Sequence, residues 1–383
     1  MLHPQPREDV LDNLKQYAGQ LVYTQARFYK ASRQPNLQFA WSNTFDGTPL
    51  LKADVRFEQA AVLYNIAAVA CNLAQQRFKG HDTDEEALKQ CLKWYKTAAQ
   101  AATSLLALVA ELGVAGDLSV AAVSVLQPLL AAQTYECSLV KAINAGMKPA
   151  TVARIATQIA SLYDQAHTAV LPLPVSKTHP WQAWQPCLQA KTLKARGLAQ
   201  YYQSKVSEAD SEWGEEVARL RLAVELLRNV EKAVPQGRDA LVDTAALQPL
   251  LKEVQARLAK ADGDNNVIYH EAVPADTALA EVTAVELFSI GPLVLEEAVD
   301  MLSTLLPLEA HLAASELSEA KSQLLRKVQH DVSKVVTMAA SRWLTHVLRN
   351  AGGGARRAAS ACPRRHGFGQ GHQRLGSPDR SSS

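Results

Sequence analysis

Cysteine and histidine are the side chains in this sequence that could carry out covalent or metal chemistry, and their spacing predicts neither. A tyrosine-phosphatase loop needs a cysteine of low pKa and an arginine six residues later that binds the phosphate. Cys362 is followed at that offset by Phe368, and we expect the other four cysteines to lack the arginine as well. The pair His270-Glu271 has no second histidine at helical spacing, so it does not predict a metal site. Since the Gly-rich phosphate loops and the G-x-S-x-G turn are also absent, we expect a non-catalytic protein with no cofactor, no metal and no small-molecule substrate.

Two polar residues stand out on an otherwise apolar stretch, 52–79, which predicts an enclosed helix. Glu58 and Asn65 are seven residues apart and therefore share a helix face. A buried carboxylate is costly unless it is paired or hydrogen-bonded. We expect Glu58 to anchor neighbouring backbone rather than to act as a catalytic acid.

A second apolar stripe begins at Trp213 and recurs at spacings of four and three residues through Leu227, which predicts a helix with that face in the core. Glu215 and Arg219 lie four residues apart on the other side, where an ion pair contributes a few tenths of a kcal/mol. Further on, residues 262–274 combine turn-forming residues with Tyr269. This composition predicts a helix stop and an extended surface segment, with the Tyr269 ring packed against the domain.

The elements that would position these residues are mostly helices. Helical patterns cover residues 10–28, 52–79, 83–112, 118–145, 149–170, 179–230 (two helices or one bent pair, with a seam at 207–211), 240–261, 278–304 and 309–349. Alternation from Phe39 to Trp41 predicts a strand. The 383 residues are 48% apolar, without an apolar leader or a membrane-spanning run. The five scattered cysteines indicate free thiols in a reducing compartment.

Charge separates the last residues from the rest of the chain. Residues 351–383 contain six arginines, one aspartate and seven of the eighteen glycines, so residues 1–350 carry a net charge of −3. Such a segment buries too little apolar surface to offset its ordering entropy. We expect 351–383 to be a disordered basic tail. One phenylalanine for base stacking is weak support for nucleic-acid binding, and we predict none.

Several separated motifs together resemble the Bro-one domain family of helical adaptors, in particular its branch with a His-domain tyrosine phosphatase. They are F-E-Q-A-A-V-L-Y-N (57–65), W-G-E-E-V-A-R-L (213–220), D-G-D-N-N-V-I-Y-H-E-A-V-P (262–274), F-A-W-S-N-T-F-D-G (39–47) and L-L-P-L-E-A-H-L (305–312). The resemblance implies a mainly all-α, arched domain with a tetratricopeptide-like antiparallel helix core and a small β element. We expect it to span 1–350, lacking the several tens of residues with which family members begin. Glu58, Asn65, Trp213 and Tyr269 would be its structural signature.

The resemblance also implies a partner, the C-terminal amphipathic helix of the ESCRT-III subunit called charged multivesicular body protein four, or its yeast counterpart. The binding groove would lie between helices 118–145 and 149–170. The family's contact positions fall on Ser138, Lys141, Thr151 and Ile155, with Ile155 as the surviving apolar anchor, partly enclosed in a groove. Ser138 and Thr151 replace larger apolar residues, and Pro128 would kink the first helix. Each lost apolar contact would cost about 1.5–3 kcal/mol.

The function implied is an adaptor in multivesicular-body sorting, cytoplasmic and recruited to endosomes. A related scaffold for other signalling partners, linked to pH response or to Rho, is an alternative. Peripheral association with the endosomal membrane is another, as is a fragment of a larger phosphatase-like protein. The net charge of −3 on residues 1–350 argues against a strongly basic membrane face, unless charges segregate in three dimensions.

Overall fold

We describe the protein from a computed structural model, which defines residues 7–29, 37–173, 180–234, 247–295, 299–304 and 308–354. The chain divides into two compact units, Met1–Leu305 and Leu306–Ser383. The predicted class is confirmed, because the structure is mostly helical with one small two-stranded sheet in the described part of the chain. No helix among the described residues is long and apolar enough to cross a membrane.

The described residues of the first unit form eight α-helices and the two strands. In chain order these are α1 Glu8–Phe28, β1 Phe39–Ser42, β2 Pro49–Lys52, α2 Val55–Arg77, α3 Glu85–Leu112, α4 Val120–Asn144, α5 Pro149–Val170, α6 Pro180–Ala209, α7 Trp213–Ala233 and α8 Leu247–Asp264. Each of these helices packs against the next one in the chain. The local sequence fixes several ends: Asp54 and Ser119 cap the first turns of α2 and α4, Gly113 ends α3 in the left-handed conformation, and Pro149 starts α5.

The sheet confirms the strand predicted at Phe39–Trp41 and adds a partner that the sequence did not indicate. β1 and β2 pair antiparallel, with Phe39 opposite Lys52. The hairpin is fixed to the helices by Asp117, whose fully buried carboxylate accepts hydrogen bonds from the Trp41 indole N–H (3.0 Å) and the Thr44 backbone N–H (2.8 Å). This carboxylate satisfies donors that would otherwise be buried without a partner.

Among the described residues, the core of the first unit consists of three apolar clusters along the helix series. The first joins α1, α2, α3 and part of α4, the second joins α4, α5 and α6, and the third joins α6, α7 and α8. α4 and α6 thus contribute to two clusters each, which makes the core continuous through them. The small side chains on α2 and α3, among them Ala60, Ala70, Ala98 and Ala102, allow close helix approach.

The segment after α8 differs most from the sequence prediction. α8 runs past Gly263 to Asp264 and continues as a π-helical turn, Asn265–Tyr269, which ends at His270 in the left-handed conformation (φ 57°). The helix predicted for 278–304 is wrong. Apart from one 3-10 turn at Asp276–Ala278, the described residues of 271–304 are irregular or extended. We call residues 271–295 and 299–304 the strap.

The strap crosses the helix series and uses helix side chains as hydrogen-bond partners. Ser104 on α3 accepts from the Leu293 N–H (2.8 Å), and Gln20 on α1 accepts from the Met301 N–H (3.2 Å). Arg27 on α1 forms an ion pair with Asp300. Side chains of the helices therefore bond to backbone groups of the strap that would have bonded to one another if the strap were helical.

The second unit contains α9, Leu308–Gly354, which confirms the helix predicted for 309–349. Its described side chains, 309–348, are exposed along the whole length. Of the tail predicted to be disordered, 351–354 continue α9, and the rest lies outside the described residues.

Candidate functional site

The candidate partner-binding face is formed by α4 and α5, which pack against each other and are joined by the short turn 145–148. α4 runs from Val120 to Asn144 with Pro128 inside it, and Pro128 is buried. The Gly146 N–H donates to the Ile143 carbonyl and Gly146 is left-handed, so the turn closes tightly before Pro149.

Three of the four predicted contact residues are accessible on this face. Lys141 is exposed, whereas Ser138 and Thr151 are half-buried. The Ser138 hydroxyl donates to the Thr134 carbonyl one turn earlier (3.3 Å), so its polar group is satisfied within the helix. These residues can contact a partner without rearrangement of α4 or α5.

Ile155 does not lie on the surface, and its predicted partial enclosure in a groove is wrong. The side chain is 1% exposed and belongs to the cluster between α4, α5 and α6. The stripe Val152, Ile155, Ile159 and Tyr163 on α5 faces that core, which explains the burial. Its replacement by a charged residue would disrupt the core rather than test binding.

The strap runs beside this face, a neighbour that sequence reasoning missed. Tyr135 lies one turn before Ser138; its hydroxyl accepts from the Leu287 N–H (3.1 Å) and its ring stacks on Phe288 at 4.7 Å. On α5, the Arg154 guanidinium, one turn after Thr151, donates to the Thr283 carbonyl (3.4 Å). The strap is therefore bound to both helices within one turn of the predicted contact residues.

The charge on this face is positive. Lys141, Lys148 and Arg154 are all exposed, on or beside the turn that joins the two helices. Lys89 and, more weakly, Lys141 lower the pKa of the Glu85 carboxyl. A ligand with carboxylates complements this surface.

The structural-signature residues lie elsewhere, and two of them contact each other. The Trp213 ring stacks on the Tyr269 ring at 4.0 Å and 9° between planes, so Tyr269 packs against the domain as predicted. Trp213 itself is half-buried and holds the π-helical turn rather than the core. The Gly214 N–H donates to the Glu271 carboxylate (2.7 Å), so the start of α7 anchors the start of the strap.

Glu58 and Asn65 are half-buried on α2. Glu58 accepts a hydrogen bond from the Tyr17 hydroxyl (3.0 Å), so it holds a side chain of α1 rather than backbone. Burial, and next the charge of Glu58, raise the pKa of Tyr17 from 10.0 to about 12.

Arg219 corrects the expectation of a surface ion pair. It is 1% exposed and donates to the Glu215 carboxylate (2.7 Å), the Gln200 side-chain carbonyl (2.9 Å) and the Ala280 backbone carbonyl (3.0 Å). One guanidinium thus connects α6, α7 and the strap. The i, i+4 spacing predicted the ion pair of Glu215 and Arg219, but no signal in the sequence indicated that Arg219 is buried.

Cys71 and Arg77 have the six-residue spacing of a phosphatase loop, although the sequence argument excluded such a pair. Both lie on α2, where six residues correspond to roughly 240° of rotation, so they point to different sides of the helix. Burial raises the pKa of the Cys71 thiol to about 11, which opposes thiolate formation. Among the described residues no group of three or more metal-ligating side chains is present.

These features define a helical scaffold with an exposed face on two helices and an extended strap beside it. The chain belongs to the family of the BRO1-like domain, whose model matches residues 2–325. It is 29% identical over 327 residues to human tyrosine-protein phosphatase non-receptor type 23, covering 82% of this chain and 19% of that protein. It is 28% identical over 340 residues to the vacuolar protein-sorting protein bro-1 of Neurospora crassa, covering 82% and 33%.

The fold is also similar to that of the solved ALIX BRO1 CHMP4C complex, with a TM-score of 0.68 and 27% identity over 77% of this chain and 81% of that chain. The chain therefore matches a BRO1 domain over most of its length, but spans a third or less of the two curated relatives.

Proposed function

We propose that this protein is a non-catalytic adaptor of endosomal sorting that binds the C-terminal amphipathic helix of an ESCRT-III subunit on the α4–α5 face. The observation that carries the proposal is this exposed, basic two-helix face in a chain similar to a BRO1 domain solved with CHMP4C. Such an adaptor would work in the cytoplasm and be recruited to endosomes.

Recognition on this face would be more polar than helix-in-groove binding usually is. Ile155 is in the core, and the accessible positions are Ser138, Lys141 and Thr151. A partner helix would then meet the Lys141 ammonium with a carboxylate and the Thr151 methyl with an apolar side chain. The strap residue Leu287 is 41% exposed, and its N–H donates to Tyr135, one turn before Ser138, so Leu287 would offer a further apolar contact near this face.

Titration calorimetry with the partner's C-terminal peptide tests this assignment. Thr151→Leu adds apolar surface and should tighten binding about tenfold, since about 1.4 kcal/mol supplies that factor. Lys141→Glu places like charges together and should weaken binding about tenfold or more. The matched control is Lys252→Glu, the same change on an exposed residue of α8, which should leave the affinity as in the wild type.

Equal weakening by Lys141→Glu and Lys252→Glu would mean that only net charge matters and that the α4–α5 assignment is wrong. If no variant binds the peptide and Thr151→Leu rescues nothing, the partner is misidentified.

A further inference from the structure

Within the second unit, α9 carries an apolar face that no other described residue of that unit covers. The face is made of large side chains between 41% and 66% exposed that fall within an arc of about 140° on the helix. They are Leu324, Leu325, Val328, Val332, Val335, Val336, Trp343 and Val347. At 1.5 Å per residue the segment from Leu324 to Val347 is about 35 Å long.

The opposite side of the same segment is mostly polar and basic, and Leu344 is the large apolar side chain that lies there. Arg326, Lys327, His330 and Lys334 lie there. Over residues 321–348 the chain has five arginines and lysines against one acidic residue, Asp331. The second unit, residues 306–383, thus carries a net charge of +7, whereas residues 1–305 carry −5.

The pattern differs from that of a coiled-coil seam, which is narrow and flanked by charged pairs that select a partner helix. If Leu325, Val328, Val332 and Val335 formed such a seam, the flanking positions would include Leu324, Val336, Met338 and Trp343. These four are apolar, and Asp331 is the one charged residue at a flanking position between 324 and 343, so the face is wider than a two-helix seam and has few of the charges that select a partner helix. A broad apolar face with a basic opposite side is typical of a helix that lies in a membrane surface.

We propose that residues 321–347 of α9 bind the surface of an anionic lipid bilayer. The apolar face enters the boundary between headgroups and acyl chains, and the basic residues remain at the headgroups, where each attracts anionic lipid. Lys321, Arg342 and His346 fall within the same arc as the apolar side chains, and their long or polar side chains extend to the headgroups. This inference does not depend on the α4–α5 face and would hold if that face bound no ESCRT-III subunit.

Co-sedimentation of the full chain with vesicles tests the proposal. We expect binding to vesicles that contain about 30% phosphatidylserine in phosphatidylcholine, weaker binding to phosphatidylcholine alone, and loss of affinity as salt rises. Lys327→Glu combined with Lys334→Glu should lower partitioning onto the anionic vesicles about tenfold or more. Brominated lipid should quench the fluorescence of Trp343, and comparison with Trp343→Phe shows how much of the quenched signal comes from this residue.

Val332→Glu with Ser333→Glu as its control separates the apolar face from simple charge. Both changes add one negative charge to exposed, adjacent positions, but only Val332 lies on the apolar face. Val332→Glu should lower partitioning about tenfold, and Ser333→Glu by a few-fold only.

Three results would overturn the proposal. They are no binding to either vesicle, equal losses for the two variants, and a chain dimer in analytical ultracentrifugation that Val332→Glu returns to the monomer without any vesicle binding. The last result would assign the face to a second copy of the chain.

Discussion

Replacing Arg219 by methionine should destabilise the first unit far more than an i, i+4 ion pair on a helix surface would. Methionine keeps much of the length and apolar stem of arginine but removes three donated hydrogen bonds. Glu215 is 28% exposed and keeps a bond from Ser207, so it recovers part of its solvation. Gln200 and the Ala280 carbonyl lose their donor at about 1–3 kcal/mol each. We expect a loss of about 3–4 kcal/mol, within the range for breaking a buried pair.

Arg221→Met on the same helix is the matched control. Arg221 also forms an ion pair, with Asp262 at 2.5 Å, but it is 52% exposed, so its loss should cost about 0–1 kcal/mol. The measurement is urea unfolding followed by tryptophan fluorescence, since all tryptophans except Trp343 lie in the first unit. Hydrogen exchange should also accelerate in the strap for Arg219→Met only. Equal and small losses for the two variants would refute the burial of this guanidinium.

Two further predictions concern backbone approach and ionisation. Gly214→Ala should destabilise the protein by about 1–3 kcal/mol, because the added Cβ would lie 2.3 Å from the Ala272 carbonyl oxygen. Gly263→Ala on α8 meets nothing within 4 Å and should stabilise the protein by about 0.5–1 kcal/mol. Thermal melts should therefore show a lower melting temperature for the first variant and a higher one for the second. Because the pKa of Tyr17 is raised, its contribution to stability is complete below pH 10.0 and is lost as pH rises through about 12. Glu58→Gln should lower this pKa, which an ultraviolet difference titration measures with Tyr17→Phe as the blank. An unchanged midpoint in Glu58→Gln would contradict the contact between the two side chains.

Local signals in the sequence were sufficient for most helices. The break at Gly146 and Pro149 fixes where α4 ends and α5 begins, and the structure places both where the sequence predicted them. The strap could not be predicted in this way. Val282, Val285 and Phe288 recur every three residues as on a helix, but Val285 and Phe288 pack against the cluster between α4, α5 and α6. The donors and acceptors that replace helical bonds belong to distant helices, which no local pattern reveals.

The candidate site shows a similar limit. A resemblance to a family predicts which positions along a helix contact a partner, and Lys141 and Thr151 at those positions are accessible. The resemblance does not predict whether a side chain is exposed, because exposure depends on which residues the next helix covers. Ile155 is enclosed because α6 packs on α5, a tertiary contact absent from the motif itself.

The strap has a consequence for when this domain completes its fold during synthesis. Gln20 on α1 pairs with Val299 and Met301, so the ends of the closed loop are 279 residues apart. Sequential helix pairs can form as they leave the ribosome, since each packs on its predecessor. The closing contacts must wait until nearly the whole first unit has emerged. Until then the Tyr135 hydroxyl and the surface that receives Phe288 stay uncovered, and a chaperone or a neighbouring nascent chain competes for them.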